Sequence, residues 1–212
     1  MFSLSRLPVD EILDALAGNG AVSLSLIEES FRVRLLEEAR RANFRPARAS
    51  IGEGERIVYQ RMEVCDSFPP DSAFLDLRES FQALWNQSFS ARVPNPFESP
   101  VVFNDLMLQR YTEGRLGITP HRDRTAYRNV ICLFVIEGHG RFLVCQDRAG
   151  NKAVEIRNEP GDLVLTRAPG CLGSGARPFH CVRDILSTRY VFGLRQDAGS
   201  AYQPARSVST GG

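Results

Sequence analysis

Apolar residues in the first ninety positions recur at three- and four-residue steps, and beyond residue 100 they alternate in short runs. In VDEILDALA (9–17), Val9, Ile12, Leu13 and Leu16 line one face of a helix, and Gly18-Asn19-Gly20 supplies its stop. AVSLS (21–25) alternates as a short strand. Ser25 stands three residues before Glu28, a capping-box spacing, ahead of Ile27, Phe31, Leu35 and Ala39 at four-residue steps. The pairs Glu28–Arg32, Arg34–Glu38 and Glu37–Arg41 then mark the solvated face of this second helix, which is read as a structural support. Residues 45–71 are irregular, rich in Pro and Gly, around one predicted strand, RIVYQRMEV (56–64). A further amphipathic helix is predicted near 72–89, where Leu77, Phe81, Leu84, Trp85 and Ser88 share a stripe and the single Trp is assigned to the core.

From residue 101 the rhythm is that of strands. VVFNDLMLQRY (101–111), LGITPH (116–121), RNVICLFVI (128–136), RFLVCQD (141–147), KAVEIRN (152–158), DLVLTRA (162–168), FHCVRD (179–184) and TRYVFGLRQ (188–196) are separated by turn chemistry such as Gly150-Asn151 and Pro160-Gly161. Eight strands preceded by helices predict a mainly β chain. Its core would be a double-sheet jelly roll (a double-stranded β-helix) with helices packed outside one sheet. The expected organisation is one domain over 1–196, with helical support and lid region in 1–100 and the jelly roll in 101–196. The Gly/Ser/Ala-rich segment 197–212 is expected to be a flexible tail.

Composition narrows the function classes. With 212 residues, 43% hydrophobic and 24% charged, the chain is neither fibrous nor wholly disordered. No apolar run reaches the ~18 residues of a membrane span. Asp10, Glu11 and Asp14 interrupt the stretch where a secretory signal would be uncharged. The five cysteines are scattered without a CxxC pair, so neither a disulfide framework nor a zinc ribbon is indicated, and a cytoplasmic location is expected. The net charge of +1 advertises neither nucleic acid nor an anionic membrane. All but one of the 26 basic residues are Arg, which discounts any single-arginine argument, whereas there are only three histidines.

Two of those histidines carry the chemistry. In His121-Arg122-Asp123 the imidazole and carboxylate are two residues apart, which on an extended chain turns them to one face. His180 opens a later strand. Two imidazoles and one carboxylate on one face of a metal make the facial triad of non-haem Fe(II) oxygenases. On the last strand, Arg189, Val191, Gly193 and Arg195 share one face, and Tyr190, Phe192 and Leu194 the other. The apolar set suits packing against the N-terminal helices, and two inward cations on such a strand need an anion. In a jelly roll the first and last strands are neighbours, which brings Gln109 and Tyr111 beside these arginines. A dicarboxylate fits: one end chelates a metal and the other meets an Arg in a bidentate pair. His139, between two glycines, is read as an exposed turn residue and Cys181 as packing. Arg124 and Tyr127 lie close enough to the HxD to reach a substrate.

LQRYTEGRLGITPHRD (108–123), PGDLVLTRA (160–168) and RYVFGLRQ (189–196) together resemble the Fe(II)- and 2-oxoglutarate-dependent oxygenases, with some AlkB-like features. The resemblance covers about 103–196 and implies Fe(II) held by His121, Asp123 and His180. It also implies that Arg189 and Tyr111 bind the remote carboxylate of 2-oxoglutarate, with Arg195 and Gln109 near its chelating end. O2 is then the second cosubstrate, and oxidative decarboxylation to succinate and CO2 generates an iron-centred oxidant that attacks a C–H bond. Gln109 replaces the Asn usual in AlkB-type members, and the nine residues from His180 to Arg189 are nearer to prolyl-hydroxylase-like branches. The favoured substrate is a small molecule or amino-acid side chain. N-alkylated nucleic acid, gripped by Arg45, Arg48, Arg56, Arg61 and Tyr59, is the alternative, and a cupin-like binding protein without turnover is the third reading. No membrane partner is expected.

Overall fold

A computed structural model describes residues 1–199. Three helices, α1 (Val9–Gly18), α2 (Glu29–Arg41) and α3 (Ala73–Phe89), come from the first half of the chain. The strands of that half are β1 (Ala21–Ser25), β2 (Arg45–Pro46), β3 (Ser50–Ile51), β4 (Val58–Tyr59) and β5 (Met62–Cys65). The second half is all strand: β6 (Asp105–Tyr111), β7 (Gly114–His121), β8 (Tyr127–Glu137), β9 (Arg141–Cys145), β10 (Val154–Ile156), β11 (Asp162–Arg167), β12 (Phe179–Ile185) and β13 (Arg189–Asp197). Each of the eight strand runs read from 101 onward is a strand here.

The strands form a major sheet ordered β1-β11-β8-β13-β6-β5-β2 and a minor sheet ordered β10-β9-β12-β7, with β3 and β4 as a separate hairpin. All ladders are antiparallel. This is the two-sheet jelly roll that the alternation predicts, and side-chain direction explains its layers. Phe134, Leu163, Leu165, Tyr190, Phe192 and Leu194 turn to the helix side and pack with Leu16, Leu35, Phe74 and Phe81. Ile118, Phe142, Val144, Val164, Val182 and Val191 turn inward and fill the space between the sheets. The helices therefore cover the major sheet only.

Aromatic rings carry much of the helix–sheet contact. Phe81 of α3 meets Phe134 edge-on at 5.0 Å, and Phe74 lies 4.8 Å from Phe192. Trp85, only 2% exposed, stacks on Phe89 at 4.3 Å, a core position as expected.

Several local expectations need correction. The second helix opens at Glu29, not Ser25: Ser25 is drawn into β1, where it pairs with Asp162, so the capping box does not form. Among the described residues the expected i,i+4 pairs do not form, and Arg32, Arg34 and Glu38 find other partners. Arg32 bonds Glu29 and Glu137, each at 2.7 Å, and Arg34 reaches Asp76 at 2.7 Å. Glu38 caps α3, its carboxylate accepting from the Ala73 amide at 2.7 Å and from the Ser72 hydroxyl, beside the positive end of the helix dipole. The strand expected over 56–64 is broken in two. Gln60 bridges to Ile118 and the Arg61 amide donates to Gly117 at 2.8 Å, so the chain crosses from the hairpin, past the minor sheet, to the major one. Asp197 ends β13 instead of beginning a tail, and residues 200–212 of the expected tail lie outside the described residues.

Phe81 touches Phe2, Trp85, Phe103 and Phe134 and is fully buried. Phe81→Ala should cost about 3–5 kcal/mol, because a cavity remains where four rings met. Urea unfolding followed through the single Trp measures this, and a loss under about 1 kcal/mol would show that the helix layer does not depend on the cluster.

Candidate metal centre

The minor sheet brings the two histidines together. β12 runs antiparallel to β7 with His180 opposite His121, and a register shift after His180 lets both rings and Ile118 point inward. Asp123 lies just beyond β7, where the chain leaves the minor sheet for β8. Its carboxylate stands 3.3 Å from Nε2 of His180 and 4.0 Å from Nε2 of His121. The two rings are 4.4 Å apart, and Phe142 stacks on His180 at 5.5 Å.

Both rings are turned for ligation. Nδ1 of His121 lies 2.9 Å from the Thr119 carbonyl, and Nδ1 of His180 lies 3.3 Å from that of Pro178. A carbonyl only accepts, so each Nδ1 donates to its carbonyl, which leaves Nε2 of both rings facing Asp123. One donor atom from each of the three residues falls within a 4.8 Å group. Metal–imidazole bonds of about 2.0–2.1 Å need donors a few ångströms apart, and these three are so placed. The donor set, two imidazoles and one carboxylate, suits a non-haem iron with open positions.

Burial, joined by the charge His180 would carry, pulls the His121 imidazole down to about 4. For Asp123, burial acts upward but is outweighed by His180, His121, Arg195 and Arg177, so its pKa is lowered. The result is a neutral imidazole beside an ionised carboxylate, the protonation states a cation requires.

The opposite wall is the major sheet, where β13 lies between β8 and β6. Arg189 is opposite Tyr111, Val191 opposite Gln109 and Arg195 opposite Asp105, so all four expected cosubstrate residues lie on the two central strands. The two arginines differ in partners. Arg189 is 2% exposed and donates only to the carbonyls of Gly138 and Asn158, at 3.3 and 3.2 Å, with Nε unpaired. No carboxylate of the described residues lies within ion-pairing distance of it, and burial pulls its pKa down to about 10. Gly138 is needed at φ +84°, since a Cβ there would sit 2.7 Å from Cα of Arg189. Arg195, in contrast, pairs with Asp105 at 3.2 Å and lies over the Tyr127 ring at 5.4 Å. Its guanidinium folds over Gly193, where a Cβ would be 2.8 Å from Nη2. Tyr111 is buried, its phenol pushed up to about 12 by burial against the pull of Arg189 and Arg195. Gln109 donates to Sδ of Met62 at 3.5 Å.

Other expected positions fall outside this cluster. His139 is exposed and pairs with Glu159 at 3.1 Å, and Cys181 is buried on the far side of β12. Arg124 is held by Asp197 at 3.6 Å over the Tyr127 ring. Sequence reading missed Asp105, which alternates onto the face of Gln109 and Tyr111. It also missed the Asn158 and Gly138 carbonyls, which carry no side-chain signal.

The chain shares its fold with a solved oxidoreductase of the 2OG-Fe(II) oxygenase family from Burkholderia pseudomallei, at a TM-score of 0.60 and 15% identity over 91% of this chain and 92% of that one. Among solved structures, the chain is similar to a prolyl hydroxylase from Trichoplax adhaerens in complex with a hypoxia inducible factor oxygen degradation domain peptide fragment. That match has a TM-score of 0.65 and 16% identity, covering 89% of this chain and 88% of that one. A Pseudomonas putida prolyl-4-hydroxylase matches with a TM-score of 0.61 and 17% identity over 89% and 98% of the two chains. OsALKBH1 matches with a TM-score of 0.53 and 16% identity over 84% and 98%. No protein-family model and no curated protein matches the chain.

The low His121 pKa has a consequence for metal-free protein. A histidine whose folded pKa lies below its unfolded value of 6.5 binds fewer protons when folded, so it contributes stability at high pH. That stability is lost as pH falls through 6.5 and is exhausted near 4. Urea midpoints of metal-free protein should therefore fall over this window, and His121→Gln should flatten the decline. A wild-type midpoint that is level across the window would show that the ring is not desolvated.

Proposed function

We propose that the protein is an Fe(II)- and 2-oxoglutarate-dependent dioxygenase that hydroxylates a small molecule or an amino-acid side chain. The observation that carries this reading is the buried Arg189 guanidinium, without a carboxylate, on the wall facing the His121–Asp123–His180 cluster. A guanidinium removed from water and offered only two carbonyls favours an anion in the space between the sheets.

In this reading His121, Asp123 and His180 hold Fe(II), and Arg189 with Tyr111 receives the remote carboxylate of 2-oxoglutarate. When bound, iron with the cosubstrate and O2 supplies oxidising power for attack on a C–H bond, with release of succinate and CO2. The chain's own work is positional. Thr119 and Pro178 orient the two imidazoles, and Phe142 and Val144 exclude water behind them. Arg195 contributes a charge already balanced by Asp105 at the chelating end, where Gln109 also lies on the sheet. No residue needs to act as a general base.

Oxidative demethylation of N-alkylated nucleic acid is the second reading. It is weakened at Arg45, one of its expected contacts, which is taken by Asp66.

Under anaerobic conditions a visible charge-transfer absorption should develop only when Fe(II) and 2-oxoglutarate are both present, and His180→Ala should abolish it. Full iron affinity and succinate production in His180→Ala would refute the triad. Losing one member of a buried charge pair typically costs ~2–5 kcal/mol. At ~1.4 kcal/mol per tenfold, Arg189→Ala should weaken apparent 2-oxoglutarate affinity roughly thirty-fold or more while iron binding persists. Arg189→Lys should restore part of it, since the ammonium keeps charge but loses the fork. Arg195→Ala should matter less, its charge being met by Asp105. A folded Arg189→Ala that binds 2-oxoglutarate normally would remove Arg189 from the clamp, and if Arg195→Ala also left affinity unchanged the cosubstrate assignment itself would fail.

A further inference from the structure

The end of the barrel that holds the metal cluster is formed by three loops, 122–126, 146–153 and 168–178, faced by the 47–60 segment. Each loop brings one arginine that has no carboxylate within 4.0 Å among the described residues: Arg122, Arg148 and Arg177. Arg122, between the two ligands of the HxD, lies 4.2 Å above the ring of Phe179, the neighbour of His180. Arg148 approaches the same ring at 5.7 Å and donates to the Arg56 carbonyl at 3.4 Å. Arg177 donates to the backbone carbonyl of Asp123.

The acids of these loops are already engaged. Asp123 faces the two histidines. Asp147 accepts from the amides of Ala149 and Asn151 and from the Asn151 side chain, at 2.8–3.1 Å. Asp197, beside the first loop, is held by Arg124. Glu53 and Glu55 on the facing segment pair with none of the three arginines. Three guanidiniums thus stand at one rim of the barrel with no carboxylate within 4.0 Å among the described residues, Arg177 being one of the charges that act on Asp123. Two of the three guanidiniums, Arg148 and Arg177, are half-buried, where a charge interacts more strongly than in open water.

We infer that this rim binds an anionic group of the substrate, a carboxylate or a phosphate, through Arg122, Arg148 and Arg177. The inference rests on the oxygenase reading for the word substrate, but the anion site itself stands without metal. Arginine forks match both oxyanions bidentately, and the Phe179 face holds one fork in place by cation–π contact. Two of the arginines, Arg122 and Arg148, gather over one ring and Arg177 bonds the Asp123 carbonyl in the adjoining loop, a compact arrangement unlike the long stripe expected for a polyanion.

The test uses metal-free full-length protein, observed by backbone NMR while inorganic phosphate, acetate or a twelve-nucleotide single strand is added. The expected result is saturable binding of phosphate or acetate, with shifts confined to 122–126, 146–153 and 176–180. Arg122→Gln/Arg148→Gln should weaken it at least tenfold, and the single Arg122→Gln, on an exposed side chain, should show a smaller loss if the double variant fails to fold. Preference for phosphate assigns a phosphate ester, and preference for acetate a carboxylic acid. Absence of saturable binding, or binding unchanged in a folded variant, would overturn the inference. So would oligonucleotide binding with a steep salt dependence and shifts spreading to Arg48, Arg56 and Arg61. Because no iron or 2-oxoglutarate is present, failure here leaves the anaerobic absorption to judge the oxygenase reading independently.

Discussion

The ladder between β7 and β12 is the constraint on which the site depends. It sets His121 opposite His180 across 59 residues of chain, and the irregular register beyond them keeps the rest of both strands in the sheet. Without that shift, alternation would turn either Ile118 or His121 outward, since an odd step separates two residues that both face inward. Asp123 then needs only two further residues to reach the rings. A donor set that looks scattered in sequence is, in space, one strand pair and the first turn after it.

The central position of β13 does comparable work on the other wall. Its two faces are both covered, one by the helix-side aromatic cluster and one by the barrel interior, so its charges are buried whichever way they point. Arg195 meets this burial with Asp105 on the neighbouring strand. Arg189 meets it with two carbonyls, which satisfy hydrogen bonds but not charge. The difference between these two residues, six apart on the same face, separates a group whose charge Asp105 balances from one that no carboxylate of the described residues balances.

Much of this was legible in the sequence. The strict alternation of TRYVFGLRQ predicted both faces of β13, and its neighbour was inferred from the jelly-roll rule, which the Arg189–Tyr111 register bears out. The less legible parts were those decided by tertiary competition. Ser25 had the spacing of a helix cap but was captured by a sheet partner, and Glu38 had the spacing of a helical ion pair but caps another helix. Residues 56–64 had enough β-branched and apolar content for one strand, yet backbone bonds to Ile118 and Gly117 divide them. Asp105 went unread because its value lies in a partner 90 residues away.

The helices clothe only one sheet, and this unevenness has a mechanical meaning. The major sheet is a backed wall, whereas the minor sheet is held mainly by its own ladders and by the apolar fill between the walls. His121 and His180 belong to the thinner wall and Arg189 to the backed one. Any molecule gripped at both ends would therefore act as a strut between a rigid and a compliant plate, and its binding energy would appear as resistance of the minor sheet to local opening. By mass action such a strut at a hundredfold over its dissociation constant adds about 2.7 kcal/mol to the folded state. That stiffening would fall on the sheet that no helix backs.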